Sequence, residues 1–230
     1  MTGEGEAGLV FRTVAQEKSP AHTVSHTTAV AVLALLAART GRYRTGVGTV
    51  PDNLLSEEVP AALRAALGTE DWASDLAREH VGRRRIWLVG GGPVAASAAE
   101  TALKIRETSY LQAEGLPTET MLHGPFQCVE AEDLFVLISP EGPARERTLE
   151  MAGLAREIGA PVVFVDDDPG NTRDGASLYV PRVPEPFSAL TCLVPLQLFS
   201  YHLALARGTN PDSFRAEDAR FARADVTGRL

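Results

Sequence analysis

Short apolar runs alternate with amphipathic stretches of helical length from residue 83 onward. The apolar runs have the length and the β-branched content of buried strands, and the stretches between them have helical spacing. Strands are predicted at 86–89, 134–138, 161–165 and 178–183, and helices from about 93 to 115, at 143–158 and at 188–206. Because such alternation is typical of a parallel sheet covered on both faces, we expect 83–206 to form one complete α/β unit with three αβα layers.

The first 82 residues have a different pattern. A β-like run at 9–14 is followed by a helix at 29–39 ending at Gly41, and by amphipathic helices near 56–67 and 70–81. The first helix is apolar on nearly every side, which predicts packing on several faces. One strand and three helices cannot close a sheet, so residues 1–82 are predicted to be an incomplete, mainly helical unit. The strand at 9–14 is then a candidate edge for pairing with another copy of the chain. Residues 207–230 are predicted to be a C-terminal tail.

Composition narrows the class of protein. The chain is 44% hydrophobic and 23% charged, with a net charge of −8, which argues against disorder and against a general nucleic-acid surface. The longest apolar run, 29–38, is about half of a membrane span, and the acidic N-terminus lacks the basic region of a secretory signal. Cys128 and Cys192 stand far apart, without metal-ligand spacing. We therefore expect a cytoplasmic protein with no metal, no membrane partner and no nucleic-acid partner.

A glycine turn follows the first predicted strand of the α/β unit. Gly90, Gly92 and Ala95 fit G-x-G-x-x-A, where dinucleotide folds hold a pyrophosphate. A dinucleotide site also needs a second strand about 20 residues on, with an acidic residue. The window at 110–116 is interpreted as helix end and turn, so a tight packing turn is favoured over a bound nicotinamide cofactor. No cofactor is expected.

The helix after this turn carries a stripe of charged residues. Glu100, Lys104 and Glu107 lie on one helix face and on their own are typical of a solvated row of ion pairs. Lys104 is, however, one of two lysines in a chain with 22 basic residues, which favours a role for a titratable amine. His123 follows in a Pro- and Gly-punctuated turn, where its ring is accessible for chemistry.

Three further polar features are interpreted as structural. His22 and His26 have the i, i+4 spacing of metal ligands, but no third ligand is nearby, so capping is favoured. The acidic run 166–168 precedes Pro-Gly-Asn and predicts a solvated turn. His202 is predicted to be a satisfied buried histidine on the last apolar helix.

Several segments together resemble the double sugar-isomerase (SIS) domain family, which includes the isomerase half of glucosamine-6-phosphate synthase. They are ALKIRETSY at 102–110, QAE at 112–114, HGP at 123–125, VPLQLFSYHLA at 194–204 and GTNPD at 208–212, with EKSPAHTVSHTT at 17–28 resembling the end of the first SIS unit. The resemblance implies a SIS, flavodoxin-like fold at 83–206, preceded by a partial first SIS unit and linking helices at 1–82.

The resemblance also implies a function. In this family a phosphosugar binds between the two units and a proton moves between C1 and C2. By matching positions, Glu107 would move that proton, and Lys104 and His123 would assist ring opening, His123 in the neighbouring subunit's site. The backbone at Pro20 and Ala21 would contact sugar hydroxyls, and Gly92 is a further candidate for substrate binding. The implied partners are a sugar phosphate or amino-sugar phosphate and a second copy in a homodimer.

The sequence departs from the family pattern in three places. It has no N-terminal glutaminase domain, so glutamine-dependent synthesis is not expected. Its tail, 213–230, has arginines but no lysine to form a Schiff base, and no S-x-S-G-x-T-like phosphate loop occurs. An upstream extension, a second chain or loss of catalysis would each account for the missing loop. Two functions stay open, a sugar-phosphate isomerase or deaminase-type enzyme, and a non-catalytic sugar-phosphate-binding or regulatory module.

Overall fold

The fold is a parallel β-sheet with helices on both faces. The computed structural model describes residues 9–11, 13, 17–46, 50–51, 53–169 and 176–224. The helices are α1 Val24–Thr45, α2 Val59–Ala66, α3 Glu70–Glu79, α4 Val94–Ser109, α5 Thr118–Leu122, α6 Arg145–Ile158, α7 Glu185–Thr191, α8 Leu193–Ala206 and α9 Ala219–Ala224. The strands are β1 Ile86–Gly90, β2 Ala113–Pro117, β3 Leu134–Ile138, β4 Val162–Asp166 and β5 Ala176–Tyr179. A π-helical turn, Leu54–Glu58, leads into α2.

The described strands have the order β2-β1-β3-β4-β5 and all pair in parallel. Side chains alternate between the faces of the sheet with a period of two. Ile86 and Leu88 join a core cluster with α3, α4 and α8, whereas Trp87 and Val89 join a cluster with α5 and α6. The predicted three-layer α/β fold of the second part of the chain is confirmed.

One predicted element is wrong. The window at 110–116 was expected to be helix end and turn, but α4 ends at Ser109 and residues Ala113–Pro117 form the edge strand β2. Ala113 of β2 pairs with Ile86 of β1. The segment AEGLP has a glycine and a proline and no β-branched residue, so its strand conformation comes from pairing with β1 rather than from local preference.

Helix α1 is longer and less buried than predicted. It runs from Val24 through the expected stop at Gly41 to Gly46, whose left-handed backbone and N–H bond to Arg42 end the helix. One side of α1 packs at a cluster built by α2 and α7. No residue of Val24–Thr45 is buried, and Leu33, for instance, is 64% exposed. The expectation of packing on several faces is therefore wrong for the described chain, because the other side of α1 faces solvent.

Part of the predicted strand at 9–14 is described. Leu9, Val10, Phe11 and Thr13 lie outside any helix or strand and are exposed. The other residues of this run lie outside the described part of the chain. The four described residues do not join the sheet. No described strand therefore forms with their backbone the hydrogen bonds that a β-strand needs.

Among the residues that the structure describes, two helical stretches have the length and composition of a membrane span. They are Val24–Thr45, with a mean hydropathy of 1.2 and no buried residue, and Glu185–Ala206, with a mean hydropathy of 1.5 and 61% burial. The second is a core helix pair of the fold, since it packs on α3 and α4. The whole helix Val24–Thr45 is long enough to span a membrane, whereas its apolar run of ten residues, 29–38, is not.

The first two carboxylates of the acidic run 166–168 are buried, not solvated as predicted, whereas the side chain of Asp168 is 41% exposed. The guanidinium of Arg145 donates to the carboxylates of Asp166 at 2.8 Å and Asp167 at 3.2 Å. Asp166 also accepts hydrogen bonds from the backbone N–H groups of Asp167 and Asp168. The helix α6 thus supplies a buried cation that the sequence pattern of a polar turn does not reveal.

Candidate functional site

A cleft of about 350 Å³ lies where α4 and α8 meet the segment before α1 and the chain after α8. Its walls are mixed: α8 supplies most of the aliphatic and aromatic groups together with the polar side chains of Gln197 and Ser200, and the other segments supply further polar groups. The lining residues are Ser19, Ala21, Thr23, Leu67, Lys104, Thr108, Val194, Gln197, Leu198, Ser200, Tyr201, Pro211 and Asp212. A concave surface with a few converging polar groups is the usual form of a small-molecule site.

Helix α4 brings Lys104 and Thr108 to this cleft. The helix packs against β1, β2 and α8, which fixes its axis and its rotation. Lys104 and Thr108 are one turn apart, and the hydroxyl of Thr108 donates to the carbonyl of Lys104 at 2.7 Å. Lys104, in the middle of the charged stripe of α4, therefore lines the cleft beside α8 and does not belong to a fully solvated row of ion pairs.

The charged stripe forms a compact group, which we call the charged cluster: His26, Glu100, Lys104 and Glu107. The ammonium Nζ of Lys104 is 2.8 Å from Oε2 of Glu107 and 3.5 Å from Oε1 of Glu100. The side chains of Lys104 and Glu100 are 5% and 9% exposed, and that of Glu107 is 26% exposed. Because two carboxylates face one ammonium, the cluster holds its cation firmly and leaves one carboxylate, Glu107, accessible.

The segment before α1 forms a second wall. The carboxylate of Glu17 accepts hydrogen bonds from the backbone N–H groups of Thr23, Val24 and Ser25, the free donors of the first turn of α1. Partial burial raises the pKa of Glu17, but the hydrogen bonds from Ser25, Thr23 and Val24 outweigh it and lower the pKa to about 2. This cap holds the preceding turn so that Ala21 lines the cleft.

The chain after α8 forms the rim. Thr209 donates from its hydroxyl to the carbonyl of Thr108, and Arg207 donates to the carbonyl of Ser109, so both bind the C-terminal end of α4. These bonds satisfy carbonyls that a helix end leaves free. Asp212 accepts a hydrogen bond of 3.1 Å from the hydroxyl of Ser19 across the opening. Two segments far apart in sequence therefore meet at the mouth of the cleft.

The structure brings some of the predicted site residues together. Lys104 and Ala21 line the cleft, and Glu107 contacts Lys104. Pro20 is exposed beside Ala21, and its carbonyl accepts the N–H of His22 in a turn.

His123 lies elsewhere in the chain. It follows α5, whose Met121 packs on the face of the sheet opposite α4. Its side chain is 79% exposed, and Nε2 lies 3.6 Å from a carboxylate oxygen of Glu119. A place in a neighbouring copy's site stays a prediction.

Gly92 lies at the carboxyl edge of the sheet, away from the cleft. Its φ of +61° suits the tight turn between β1 and α4, and a Cβ there would lie 3.1 Å from the carboxylate of Glu185. The crevice between β1 and β3, where open α/β sheets commonly bind ligands, has only about 10 Å³ of free volume, room for about one water molecule. The carboxylate and the filled crevice favour a packing turn, and substrate binding by Gly92 stays a prediction that this geometry does not favour.

No group of three metal-ligating side chains occurs among the residues that the structure describes. The ring of His26 does not cap α1 as predicted; Nδ1 lies 3.4 Å from Oε2 of Glu100. The helix cap is Glu17 instead. His202 is partly buried, and its Nε2 lies 3.3 Å from a carboxylate oxygen of Glu70.

Sequence reasoning missed several residues of the cleft. Ser19, Gln197 and Asp212 were not singled out, although each offers a hydrogen-bonding group. Gln197 carried a signal, since it is the one amide in the otherwise largely apolar helix Leu193–Ala206. Its amide lies 3.4 Å from the hydroxyl of Thr27, so it also ties α8 to α1.

A family model supplies the first comparison with known proteins. The model described as "SIS domain" matches residues 81–207, more than half of the chain. The chain belongs to the SIS domain family. The matched segment contains the whole sheet and three members of the charged cluster, Glu100, Lys104 and Glu107, whereas His26 lies before it.

Among curated relatives, glutamine--fructose-6-phosphate aminotransferase (isomerizing) of Zymomonas mobilis is 32% identical over 218 residues. That alignment covers 91% of this chain and 36% of the relative, so this SIS chain spans about a third of its length. The C-terminal domain of glucosamine-fructose-6-phosphate aminotransferase from Francisella tularensis superposes with a TM-score of 0.75 at 22% identity, covering 86% of this chain and 57% of that one.

Tagatose-6-phosphate ketose/aldose isomerase from Escherichia coli also has this fold. It superposes with a TM-score of 0.67 at 24% identity, covering 85% of this chain and 53% of that chain. At these identities the two solved structures establish the common SIS fold. The resemblance drawn from the sequence motifs is confirmed at the level of the family.

Proposed function

We propose that this chain acts on a sugar phosphate or amino-sugar phosphate as a ketose–aldose isomerase, with Glu107 as the general base. The observation that carries the proposal is the pair formed by Lys104 and Glu107. Lys104 lines a cleft large enough for a small molecule, and its ammonium lies 2.8 Å from the partly exposed carboxylate of Glu107. The names of the relatives, which include a ketose/aldose isomerase of a sugar phosphate, support the same class of substrate.

The chemistry needs one base and one oxygen-binding donor. The carboxylate of Glu107 removes a proton from C1 of the open-chain ketose, and the electron pair of the broken C–H bond becomes the C1=C2 bond of an enediol. The carbonyl oxygen gains a proton from water while an N–H of Lys104 donates to it. The proton on Glu107 then returns to C2, the O1 proton leaves to water, and an aldose results. General acid–base help of this kind contributes about 10²–10⁴ in rate.

Other assignments complete the proposal. The backbone at Pro20 and Ala21 binds sugar hydroxyls, which the position of Ala21 in the cleft wall supports. His123 assists ring opening in the cleft of a partner copy, so the protein acts as a homodimer. The high exposure of its ring supports contact with a neighbour rather than with its own cleft. A deaminase that cleaves an amino-sugar phosphate would use the same cleft and base, and the cytoplasm is the compartment where such substrates occur.

A second candidate is a non-catalytic module that binds a sugar phosphate. The observation in its favour is the engagement of Lys104: it is the one cation among the described lining residues, and two carboxylates already hold it, so it is not free to assist a proton transfer. The sequence also has no S-x-S-G-x-T-like loop, so the catalytic site of the family is incomplete in this chain.

The test is interconversion of fructose and glucose 6-phosphates and of their amino forms, followed by NMR in D₂O. Wild-type protein should exchange the C1 or C2 proton for deuterium and form the other sugar. Glu107→Gln should lower kcat by about 10²–10⁴, because the amide cannot take up the proton. Glu157→Gln, an exposed position on α6, is the matched control and should leave the rate unchanged.

The outcomes separate the two candidates. If wild type and Glu107→Gln are equally inert while a sugar phosphate still raises the melting temperature, the isomerase is excluded and the binding module is supported. If none of these sugar phosphates is turned over or shifts melting, both candidates fail.

A further inference from the structure

The buried carboxylate of Glu100 has one oxygen without a hydrogen-bond partner in the part of the chain that the structure describes. Its Oε2 lies 3.4 Å from Nδ1 of His26, whereas Oε1 is buried and accepts no hydrogen bond from the described residues. The side chain is 9% exposed, so water does not replace the missing donor freely. A buried carboxylate oxygen left unpaired costs free energy and calls for a reason.

The nearest cation to this oxygen is the ammonium of Lys104. It is 3.5 Å away, within ion-pair range but longer than the roughly 2.7–2.9 Å of a charge-assisted hydrogen bond. The same ammonium is 2.8 Å from Glu107. The two carboxylates lie one turn before and one turn after Lys104 on α4, so its ammonium has an acceptor on each side and fully engages one.

We propose that Glu100 is a second acceptor for the Lys104 ammonium, which moves to Glu100 when Glu107 leaves the ion pair to act as a base. This inference rests on the proposed function. A carboxylate bound to an ammonium is a weak base, because the cation stabilises its ionised form. Glu107 must therefore be released before it takes a proton from carbon. If Glu107 leaves the ion pair, the buried ammonium of Lys104 loses its close partner. The free oxygen of Glu100 offers a replacement.

The summed charge of Glu100, Lys104 and Glu107 is −1 before the reaction and becomes zero once Glu107 is protonated. Before the reaction, the carboxylates of Glu100 and Glu107 face the ammonium of Lys104. When Glu107 has accepted the proton from carbon it is neutral, and the ammonium of Lys104 pairs with the carboxylate of Glu100 one to one. An ammonium has three N–H donors, so one can bind Glu100 while another binds the substrate oxygen. Lys104 stays protonated throughout, and only Glu107 gains and returns a proton.

His26 holds the other oxygen of Glu100 in this arrangement. It comes from the first turns of α1, which Gln197 of α8 ties in place near Thr23 and Thr27. With Oε2 beside His26, Oε1 is left aimed at Lys104. Glu100 and His26 are thus positioning residues, which act on the substrate through Lys104 and Glu107.

The chain offers a direct spectroscopic test, because Lys18 and Lys104 are its two lysines. Protein labelled with ¹³Cε,¹⁵Nζ-lysine gives two ammonium signals, and exposed Lys18 is the internal reference for fast exchange with water. In Glu107→Gln we expect the Lys104 signal to stay protected, because Glu100 receives the ammonium. In Glu100→Gln it should also stay protected, on Glu107. In the double variant it should exchange as fast as Lys18.

Loss of protection in Glu107→Gln alone would overturn the inference, because Glu100 would then not hold the ammonium. If the double variant does not fold, the Glu107→Gln variant alone decides whether Glu100 holds the ammonium. Nuclear Overhauser contacts from the Cε protons of Lys104 to Glu100 should strengthen in Glu107→Gln. Unchanged contacts there would likewise contradict a transfer.

Kinetics give an independent test of whether Glu100, as the second acceptor, assists the proton transfer. Glu100→Gln should lower kcat about tenfold or more while KM stays within about twofold, since an interaction used only during the proton transfer is lost. His26→Phe should act in the same direction, and His26→Gln, which keeps an N–H donor, should restore part of the rate. A raised KM with unchanged kcat would contradict the inference. An inert wild type with a protected Lys104 signal in Glu107→Gln would refute the proposed isomerase and leave the second acceptor standing.

Discussion

The phenol oxygen of Tyr110 accepts a hydrogen bond of 2.8 Å from the backbone N–H of Arg215. The guanidinium of Arg215 lies over the same ring, 4.6 Å from its centroid, and 4.1 Å from the ring centroid of Phe221. Tyr110 ends α4 with a left-handed φ of 58°, and Phe214 and Arg215 also have positive φ angles. These contacts fasten the chain after α8 to the end of the helix that carries Lys104.

Replacing Tyr110 with Phe should loosen this segment without unfolding the sheet. The ring and its contact with Arg215 remain, but the hydrogen bond of about 0.5–1.5 kcal/mol is lost. Trypsin should therefore cleave at Arg215 or Arg220 several-fold faster, since cleavage needs local opening. Tyr43→Phe is the matched control, because Tyr43 is 91% exposed. Equal cleavage rates in Tyr110→Phe and wild type would contradict the anchoring role.

Two arginines on α6 should differ sharply in their contribution to stability. Arg145 is buried against Asp166 and Asp167, whereas Arg147 makes ion pairs of 2.8 and 2.7 Å with Glu119 and Glu150 at the surface. Arg145→Met should lower the free energy of unfolding by about 3–5 kcal/mol, because it leaves buried carboxylates unpaired. Arg147→Met should cost much less, since water screens exposed pairs. Urea denaturation of the two variants measures both values, and similar losses would refute the distinction.

The sheet was largely predictable because its central strands are continuous apolar runs. Leu134–Ile138 is buried at all five positions, as are Ile86–Gly90 and Val162–Asp166, and such continuous apolar runs are typical of parallel strands covered on both faces. The edge strand β2 was missed because its sequence has no strand preference of its own. Pairing with β1 decides its conformation, and local sequence does not contain that information.

The candidate site was predictable in some of its members but not in its geometry. The stripe of Glu100, Lys104 and Glu107 follows from helical spacing, and the family motif points to Lys104 and Glu107. Their burial depends on how α8 packs across α4, which no local pattern encodes. The contact of His26 with Glu100 joins residues 74 positions apart, so the i, i+4 spacing of His22 and His26 could not predict it.

The two cysteines should differ in reactivity. Cys128 is exposed, and Cys192 is fully buried. Burial raises the pKa of the Cys192 thiol, and the charges of Asp167 and Asp166 raise it further. Because the thiolate is the reactive form, a thiol reagent at neutral pH should modify Cys128 alone in the native protein. Both should react after denaturation, and Cys128→Ser should abolish the native reaction. Native labelling of Cys192 would contradict its burial.

The Glu17 cap should make the N-terminal end of α1 sensitive to acid. The pKa of Glu17 is about 2 in the folded protein against an ordinary value of 4.5, so the folded state favours the ionised carboxylate. Its stabilisation is complete above about pH 4.5 and is lost as the pH falls toward 2, since the unfolded chain binds the proton first. Glu17→Ala should therefore lower the free energy of unfolding by about 0.5–2 kcal/mol at pH 7, the usual range for a helix cap.

Denaturant titrations of wild type and Glu17→Ala between pH 7 and pH 3 should show this difference in unfolding free energy narrowing below pH 4.5. Glu57→Ala, a surface carboxylate, should show no such narrowing, and a constant difference for Glu17→Ala would mean that the side chain acts by packing rather than by its charge.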